Sequence, residues 1–198
     1  MFISFEGTEG VGKTTLIRKL FDYFQQQGKD VVLTREPGGT PLAEQMRALL
    51  LSVNHEEKMS NDTELLLMYA ARAQHVETVI LPALAAGKIV LCDRFTDSSF
   101  AYQCAGRGLS REKLQLLNEN FVGRMPDLTF WLDAPIELGM NRARARGALD
   151  RFEQEKVAFF ESVRLGFAEI HAHEPKRMKR LNATQSQEQV FAEALSYL

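Results

Sequence analysis

The stretch Gly7-Thr8-Glu9-Gly10-Val11-Gly12-Lys13-Thr14 decides the fold. It matches G-x-x-x-x-G-K-[ST], the phosphate-binding pattern known as the P-loop. The apolar run Phe2–Phe5 comes before it and predicts a buried strand, and an amphipathic helical pattern follows it and stops at Gly28. Because strand, glycine-rich loop and helix are the setting in which such a loop binds phosphate, the stretch predicts nucleotide binding.

The residue types in the loop explain how it would hold phosphate groups. Glycines allow the backbone to turn successive N–H groups inward, and the N-terminus of the following helix adds positive potential. In this pattern Lys13 reaches the β- and γ-phosphates, and the hydroxyl group of Thr14 lies where Mg²⁺ binds. The ATP-binding residues predicted here are Gly7, Thr8, Glu9, Gly10, Val11, Gly12, Lys13, Thr14 and Thr15.

The composition favours one domain over residues 1–198, because 198 residues with 45% hydrophobic content can bury a full core. The formal net charge of -2 gives no support to a nucleic-acid or membrane-surface partner. Cys92 and Cys104 are too few for a disulfide framework and lack metal-ligand neighbours. Since no apolar stretch approaches the ~18 residues of a membrane span and no secretory signal is present, we expect a cytoplasmic protein.

Five short apolar runs, separated by helical patterns, predict the strands. They are Phe2–Phe5, Val31–Thr34, Ile89–Cys92, Leu128–Leu132 and Met178–Leu181. Strands that alternate with helices form a parallel sheet covered on both faces. The sequence therefore predicts an α/β fold of the P-loop NTPase type, with three layers (αβα), a five-stranded parallel sheet flanked by helices, and an active site at the C-terminal edge of the sheet.

Capping residues and periodicity predict the helices after the P-loop. Thr40 and Pro41 would open a helix that runs to Leu51. The other predicted helices run from Asn61 to just before Gly87, over Leu109–Val122, from Pro135 toward Arg146, from about Phe152 to His171, and onward from the capping box Ser186–Gln189. We expect Pro82 to kink or break the first of these.

Polar residues follow the second and third predicted strands at the expected active-site edge. Asp93 and Arg94 could form a structural ion pair, but beside a P-loop we favour Asp93 on the Mg²⁺ side and Arg94 on a phosphate of a second substrate. Arg35 lies in the turn after the second strand, and Arg47 lies two turns into the next helix. Both arginines could aim at that phosphate, and both are equally compatible with the surface.

A dense positive segment follows the fourth strand and contains Arg142, Arg144, Arg146 and then Arg151. It could be a solvated helix end, since cations are favourable near a helix C-terminus. Phosphoryl transfer, however, develops charge on three oxygens, and guanidinium groups contact phosphate in a bidentate way. We therefore expect a short mobile lid at about residues 142–153 that closes over substrate and excludes water.

Glu9 is unexpected, because a carboxylate inside a phosphate-binding loop opposes the charge that the loop should present. It could accept a hydrogen bond from a sugar hydroxyl group, hold an arginine, or point outward. The histidines show neither nucleophile nor metal-ligand spacing, so we expect no functional role for His55, His75, His171 and His173.

With these residues assembled, the chain resembles the thymidylate (dTMP) kinase family, in particular the bacterial type whose lid carries the arginines. The resemblance covers nearly the whole length. The stretches that carry it are Phe5-Glu6-Gly7 into the P-loop, Thr34–Thr40, Tyr69-Ala70-Ala71-Arg72, Asp93-Arg94, Ala101-Tyr102-Gln103, Gly106-Arg107-Gly108 and Arg142–Arg151. It implies the reaction ATP + dTMP ⇌ ADP + dTDP with Mg²⁺, in the synthesis of dTTP.

The resemblance also implies a dTMP site built from several loops. Glu9 would contact the 3′-hydroxyl group of the deoxyribose, and Tyr102 would crowd the 2′ position and exclude ribonucleotides. The phosphate would be held by Arg35, Arg47 and Arg94, and the thymine edge by Arg72 and Ser99. The full implied set is Glu9, Arg35, Pro37, Arg47, Met68, Arg72, Arg94, Ser98, Ser99, Tyr102 and Gln103.

The remaining implied roles concern ATP, the metal ion and assembly. Phosphoryl transfer would depend on Lys13, Arg94, Arg146 and Arg151. ATP would also contact Arg146, Asn182 and Ala183, and Mg²⁺ would lie at Thr14 and Asp93. Members of the family commonly form homodimers packed through helices, for which the apolar Leu65–Leu67 region could serve.

The sequence departs from the family pattern at two positions. Met68 replaces the phenylalanine that usually stacks on thymine, and Cys104 replaces the glycine usual after Tyr-Gln. A kinase for another pyrimidine or for several deoxynucleotides is therefore the nearest alternative. The intact lid arginines disfavour a nucleotide-binding switch, and the short, mildly acidic chain disfavours a nucleic-acid-binding ATPase.

Overall fold

The computed structural model describes residues 1–147 and 149–198, apart from the side chain of Arg146, and its central sheet is parallel throughout. The strands are β1 Phe2–Glu6, β2 Val31–Arg35, β3 Ile89–Asp93, β4 Leu128–Asp133 and β5 Met178–Asn182. They lie in the order β2-β3-β1-β4-β5. The predicted α/β fold with a five-stranded parallel sheet is confirmed, and each strand ends one residue later than predicted.

Helices cover both faces of the sheet. They are α1 Lys13–Gln26, α2 Pro41–Leu51, α3 Asn61–His75, α4 Leu81–Ala85, α5 Thr96–Ser99, α6 Arg111–Phe121, α7 Ile136–Arg146, α8 Val157–His173 and α9 Gln187–Leu195. Two π-helical segments, Val76–Ile80 and Phe100–Gly106, accompany them. Within the described residues, none of these helices combines the length and apolar character that crossing a bilayer requires.

The central strand β1 is buried at all five positions, as a parallel strand covered on both faces should be. Ile3 and Phe5 join a core cluster with α1 and α9 on one face of the sheet. Phe2 joins a second cluster on the other face, with α3, α4 and Phe95. The strand then ends in Glu6, a fully buried carboxylate directly before the P-loop.

The predicted caps at Thr40 and Ser186 are confirmed. Thr40 Oγ1 accepts a hydrogen bond of 3.0 Å from the Ala43 backbone, and α2 starts at the next residue, a proline. Ser186 and Gln189 make both hydrogen bonds of a capping box at the start of α9. These caps satisfy N–H groups that the first helical turn cannot pair internally.

Of the kink or break expected at Pro82, the break does not occur, because helical backbone continues from Asn61 to Ala85. The π-helical segment Val76–Ile80 comes just before the proline, and the Leu81 N–H group bonds to the carbonyl of Val76, five residues back. Proline lacks an N–H group, and its ring clashes with the carbonyl four residues earlier in a regular helix. The wider π-turn accommodates both features.

The helix predicted from about Phe152 begins only at Val157, because residues 151–154 form turns, residue 155 forms a bend and Lys156 has extended backbone. No sequence pattern predicted the π-helical segment Phe100–Gly106. This segment packs closely on α8, where a Cβ added at Gly166 would lie 3.0 Å from the Ala101 Cα atom. Contacts of this kind join distant parts of the chain and leave no local periodicity.

Candidate active site

A cavity of about 610 Å³ lies at the C-terminal edge of the sheet, and its volume falls within the ~300–1,000 Å³ typical of ligand sites. Most of the predicted site residues meet there. Those that line it are Glu9, Gly10, Gly12, Lys13, Thr14, Thr15, Arg35, Pro37, Arg47, Met68, Arg72, Asp93, Arg94, Ser98, Ser99, Tyr102 and Gln103. Gly7, Thr8 and Val11 complete the P-loop between β1 and α1.

The P-loop backbone packs directly on α7. A Cβ added at Gly139 would lie 2.3 Å from the carbonyl oxygen of Glu9, and one added at Gly10 would lie 2.1 Å from the carbonyl oxygen of Gly139. Gly10 also has a φ of 70°, which a glycine adopts without strain. The shape of the loop therefore depends on bare backbone at both positions.

Lys13 is buried at the start of α1. Its Nζ atom donates hydrogen bonds of 3.1 Å to the carbonyl of Gly7 and 2.8 Å to that of Thr8. Burial disfavours the ammonium ion and, with repulsion from Arg94, lowers the pKa of Lys13 to about 8. The ammonium group of Lys13 is thus held against the P-loop backbone.

Arg94 lies at the centre of the site in a backbone conformation that non-glycine residues rarely adopt, with φ 73°. Its Nη1 atom donates to the Gly7 carbonyl at 2.9 Å and to Ser98 Oγ at 3.1 Å. Its Nη2 atom donates to Glu9 Oε1 at 2.8 Å. Burial opposes the charge, but Tyr102 and neighbouring carboxylates outweigh it and raise the pKa of Arg94.

Glu6 fixes the backbone around Arg94, a role that the sequence analysis missed. Its Oε1 atom accepts the Phe95 N–H group at 2.7 Å, and its Oε2 atom accepts the Ser98 hydroxyl at 2.5 Å. Burial, reinforced by the negative charge of Asp97, raises the pKa of Glu6 to about 8. The only sequence signal was a carboxylate at the end of an apolar strand.

Glu9 holds an arginine, one of the alternatives that the sequence left open. Its Oε1 atom accepts Arg94 and also the Tyr102 hydroxyl group, the latter at 2.7 Å. Its Oε2 atom and Asp93 Oδ1 are buried without hydrogen-bond partners among the described residues. Asp93 and Arg94 form no ion pair among the described residues. Glu9 Oε2 and Asp93 Oδ1 are therefore two acceptor atoms available beside the P-loop.

Arg72 forms the centre of a buried network on the α3 side of the cavity. It donates to Glu36 Oε2 at 2.6 Å, to Ser99 Oγ at 3.0 Å and to the carbonyl of Phe95 at 3.1 Å. Glu36 also bonds to His75 Nδ1 at 2.9 Å. His75, for which we expected no role, therefore supports a cavity-lining residue through Glu36.

Arg35 and Arg47 line the cavity near α2. Arg35 pairs with Glu44 at 2.9 Å and is more than half exposed, while Arg47 Nη1 donates to the Pro37 carbonyl at 2.8 Å. Burial and repulsion from Arg35 lower the pKa of Arg47. Both arginines line the same cavity, as expected of a phosphate-binding pair.

Outside the P-loop, three predicted site residues do not line the cavity. Arg151 is held by Glu64 at 2.7 Å, and Ala183 is buried in the core. Asn182 ends β5, where its side chain accepts a hydrogen bond from Thr184. The side chain of Arg146 lies outside the described residues, as does residue 148 of the expected lid, so their roles stay predictions.

Comparisons with known proteins point to one family. A family model described as "Thymidylate kinase" matches residues 5–194. Thymidylate kinase from Acinetobacter baumannii (strain SDF) is 74% identical over 198 residues, all of both chains. The Acinetobacter baylyi protein of the same name is 72% identical over all of this chain and 98% of its own.

A solved structure gives the same result for the fold. The crystal structure of thymidylate kinase from Ehrlichia chaffeensis superposes with a TM-score of 0.80 at 34% identity, covering 99% of this chain and 97% of that one. Together, the family match and the full-length relatives confirm the resemblance that the motifs indicated. This chain therefore belongs to the thymidylate kinase family.

Proposed function

We propose that this chain transfers the γ-phosphoryl group of ATP to dTMP, releasing ADP and dTDP, in the synthesis of dTTP. The observation that carries the proposal is that the P-loop and the arginines Arg35, Arg47 and Arg94 line one cavity. A P-loop alone would serve many nucleotide-binding proteins. A second set of phosphate-binding groups in the same space fits an enzyme that brings two phosphorylated substrates together.

On the donor side, the P-loop backbone and Lys13 hold the β- and γ-phosphates of ATP. Lys13 exchanges its hydrogen bonds to Gly7 and Thr8 for bonds to phosphate oxygens, which restore the charge that burial disfavours. Arg146 keeps its predicted role of contacting the transferred group. Adenine lies toward Asn182 and Ala183, beyond the cavity that the phosphates occupy.

On the acceptor side, Arg94 holds the dTMP phosphate together with Arg35 and Arg47. Arg72 and Ser99 bind the thymine edge from within the network that Glu36 supports. Pro37, Met68, Ser98 and Gln103 complete the wall around the nucleotide. Tyr102 and Glu9 meet at the sugar, where Glu9 Oε2 accepts the 3′-hydroxyl group and Tyr102 excludes a 2′-hydroxyl group.

The chemistry needs positioning and charge neutralisation more than a general base. The attacking oxygen of dTMP is already anionic, so no proton has to be removed before it reaches the γ-phosphorus. Lys13 and Arg94 compensate the charge that develops on the equatorial oxygens. Asp93 Oδ1 is a buried acceptor with no partner among the described residues, and the Thr14 hydroxyl lines the same cavity, so these two groups fit Mg²⁺. The ion would supply further charge neutralisation on the phosphates.

We further propose a homodimer formed through the exposed apolar side chains of α2, α3 and α6. Leu66 lies at the centre of the predicted Leu65–Leu67 region and is exposed, whereas Leu65 is buried. Cytoplasmic localisation and the lack of a nucleic-acid partner stay predictions from the sequence.

The test is coupled ADP release with ATP and Mg²⁺, comparing dTMP, dUMP, dCMP, dGMP and UMP as acceptors. A strong preference for dTMP is the expected result. Similar rates with several bases would keep the phosphoryl-transfer mechanism and replace the thymine assignment with a broader deoxynucleotide kinase, the alternative that Met68 favours. ADP release that does not depend on any monophosphate would favour a nucleotide-binding switch instead.

A further inference from the structure

Glu64 is a buried carboxylate that no predicted role explains. It lies in the first turn of α3, is 1% exposed and does not line the cavity. It accepts a hydrogen bond of 2.9 Å from Gln103, bonds of 3.2 and 3.3 Å from Arg107, and one of 2.7 Å from Arg151. A buried charge is tolerated when it is fully paired in this way, and removing one partner of such a pair is strongly destabilising.

Arg151 uses its contacts to join three elements rather than to reach the cavity. Its Nη1 atom bonds to Glu64 in α3, and its Nε atom donates to the carbonyl of Leu50, near the end of α2, at 2.7 Å. Its own backbone N–H group donates to the carbonyl of Leu51 at 3.2 Å. The Nη2 atom is buried with no hydrogen-bond partner among the described residues. The planar guanidinium group therefore fixes the C-terminal end of the lid segment to two helices.

This attachment shapes the wall of the cavity. Phe152 lines the cavity, stacks under the Arg151 guanidinium group at 4.4 Å, and meets the Tyr102 ring edge-on at 5.9 Å. Gln103, a cavity residue that bonds directly to Glu64, lies next to Tyr102 on the π-helical segment after α5. One carboxylate thus holds both the lid end and the segment that faces the sugar.

We propose that Glu64 is a positioning residue for dTMP binding and that Arg151 is the anchor of the lid rather than a contact to the transferred phosphoryl group. The inference rests on the proposed function for its substrate. A lid that closes over two substrates needs one fixed end, and Arg151 supplies it because its Nε, Nη1 and backbone N–H groups are held by α2 and α3. Loss of Glu64 lets the lid end, Phe152 and Gln103 move, so dTMP binding weakens while the P-loop is unaffected.

A double-mutant cycle tests the anchor. Glu64→Gln and Arg151→Gln should each raise the KM for dTMP by about tenfold and leave the KM for ATP within about twofold. The KM for dTMP of the double variant should be no higher than that of the more impaired single variant. Asp62→Asn is the matched control, because Asp62 lies in the same helix and pairs with Lys113 at the surface. It should leave both KM values unchanged. Additive effects would show that Glu64 and Arg151 act independently, and a fall in kcat confined to the Arg151 variant would show that Arg151 acts on the phosphoryl group. Either result would overturn the proposal.

A measurement without substrate separates this inference from the proposed function. Trypsin cuts after arginine, so cleavage within residues 142–151 reports on the lid in the free protein. Glu64→Gln should accelerate these cuts by about tenfold, whereas Asp62→Asn should not. Unchanged lid cleavage, or an equal increase at sites throughout the chain, would overturn the anchor. If the unaltered protein does not phosphorylate dTMP, the proposed function fails, but the cleavage comparison still decides whether Glu64 holds the lid.

Discussion

At the scale of single residues, Met68 bears most directly on which base the cavity accepts. It lines the cavity and packs against a cluster that contains Tyr102 and Phe152. Methionine is flexible and contacts an aromatic ring only weakly, whereas phenylalanine offers a rigid face for stacking. Met68→Phe should therefore lower the KM for dTMP by about two- to tenfold, as a stacking gain of about 0.5–1.5 kcal/mol requires.

Steady-state kinetics with dTMP varied at saturating ATP would measure this change. Met125→Phe is the control, because Met125 is exposed and does not line the cavity. An unchanged or higher KM in the Met68 variant would mean that this side chain does not face the base.

Glu6 should make the stability of the protein depend on pH in a window that few groups share. Burial raises its pKa from 4.5 to about 8. Between these values the folded state keeps a proton that the unfolded state has released, so stability falls as pH rises through the window and levels off above pH 8. Lys13 contributes to the pH dependence in a different window, because its lowered pKa makes stability rise with pH only between about 8 and 10.5.

Glu6→Gln removes this titration. Urea unfolding between pH 5 and pH 8 should show the unaltered protein losing stability relative to the variant, by about 1 kcal/mol per pH unit at the steepest. Two pH profiles that run parallel would contradict the raised pKa of Glu6.

At the scale of elements, the contact between α7 and the P-loop decides how well ATP is held. A methyl group at Gly139 would lie 2.3 Å from the Glu9 carbonyl oxygen, so Gly139→Ala must push the helix and the loop apart. We expect a loss of stability of about 1–3 kcal/mol, typical of overpacking, and a rise of about tenfold in the KM for ATP. Asn141→Ala, at an exposed position of α7, should change neither quantity appreciably. Thermal unfolding and ATP titration would check both, and a stability loss with an unchanged KM for ATP would mean that the loop tolerates the displacement.

The elements also show which parts of the fold can be predicted from sequence. The strands and the caps at Thr40 and Ser186 were predictable because apolar runs and capping residues act locally. The π-helical segment Phe100–Gly106 was not, because its packing depends on Gly166, far along the chain. The late start of α8 has the same cause, since the preceding turns are held by Arg151 and its contacts with α2 and α3.

At the scale of the whole molecule, the residues that line the cavity could be predicted from local sequence, whereas the carboxylates that hold them in place could not. The residues that face the cavity belong to recognisable motifs, and the sequence placed most of them correctly in one space. The carboxylates that hold them, Glu6, Glu36 and Glu64, were not predicted, and of these Glu36 itself lines the cavity. Each bonds to groups between 36 and 92 positions away, a pairing that only the folded chain reveals.

The surface of the molecule carries the last prediction, which concerns assembly. The neighbouring helices α2, α3 and α6 expose Leu49, Leu66 and Leu116. Leu66 is 58% exposed, although contact of an apolar side chain with water is unfavourable. Contiguous exposed apolar side chains mark interaction surfaces. If a second copy of the chain covers them, Leu66→Asp places two charges in an apolar interface and should weaken dimerisation by about a hundredfold or more.

Leu165→Asp on α8 is the control, because Leu165 is 70% exposed and lies outside the three helices. Sedimentation at micromolar concentration should show a dimer for the unaltered protein and the control but a monomer for Leu66→Asp, and a dimer in all three would place the interface on another face.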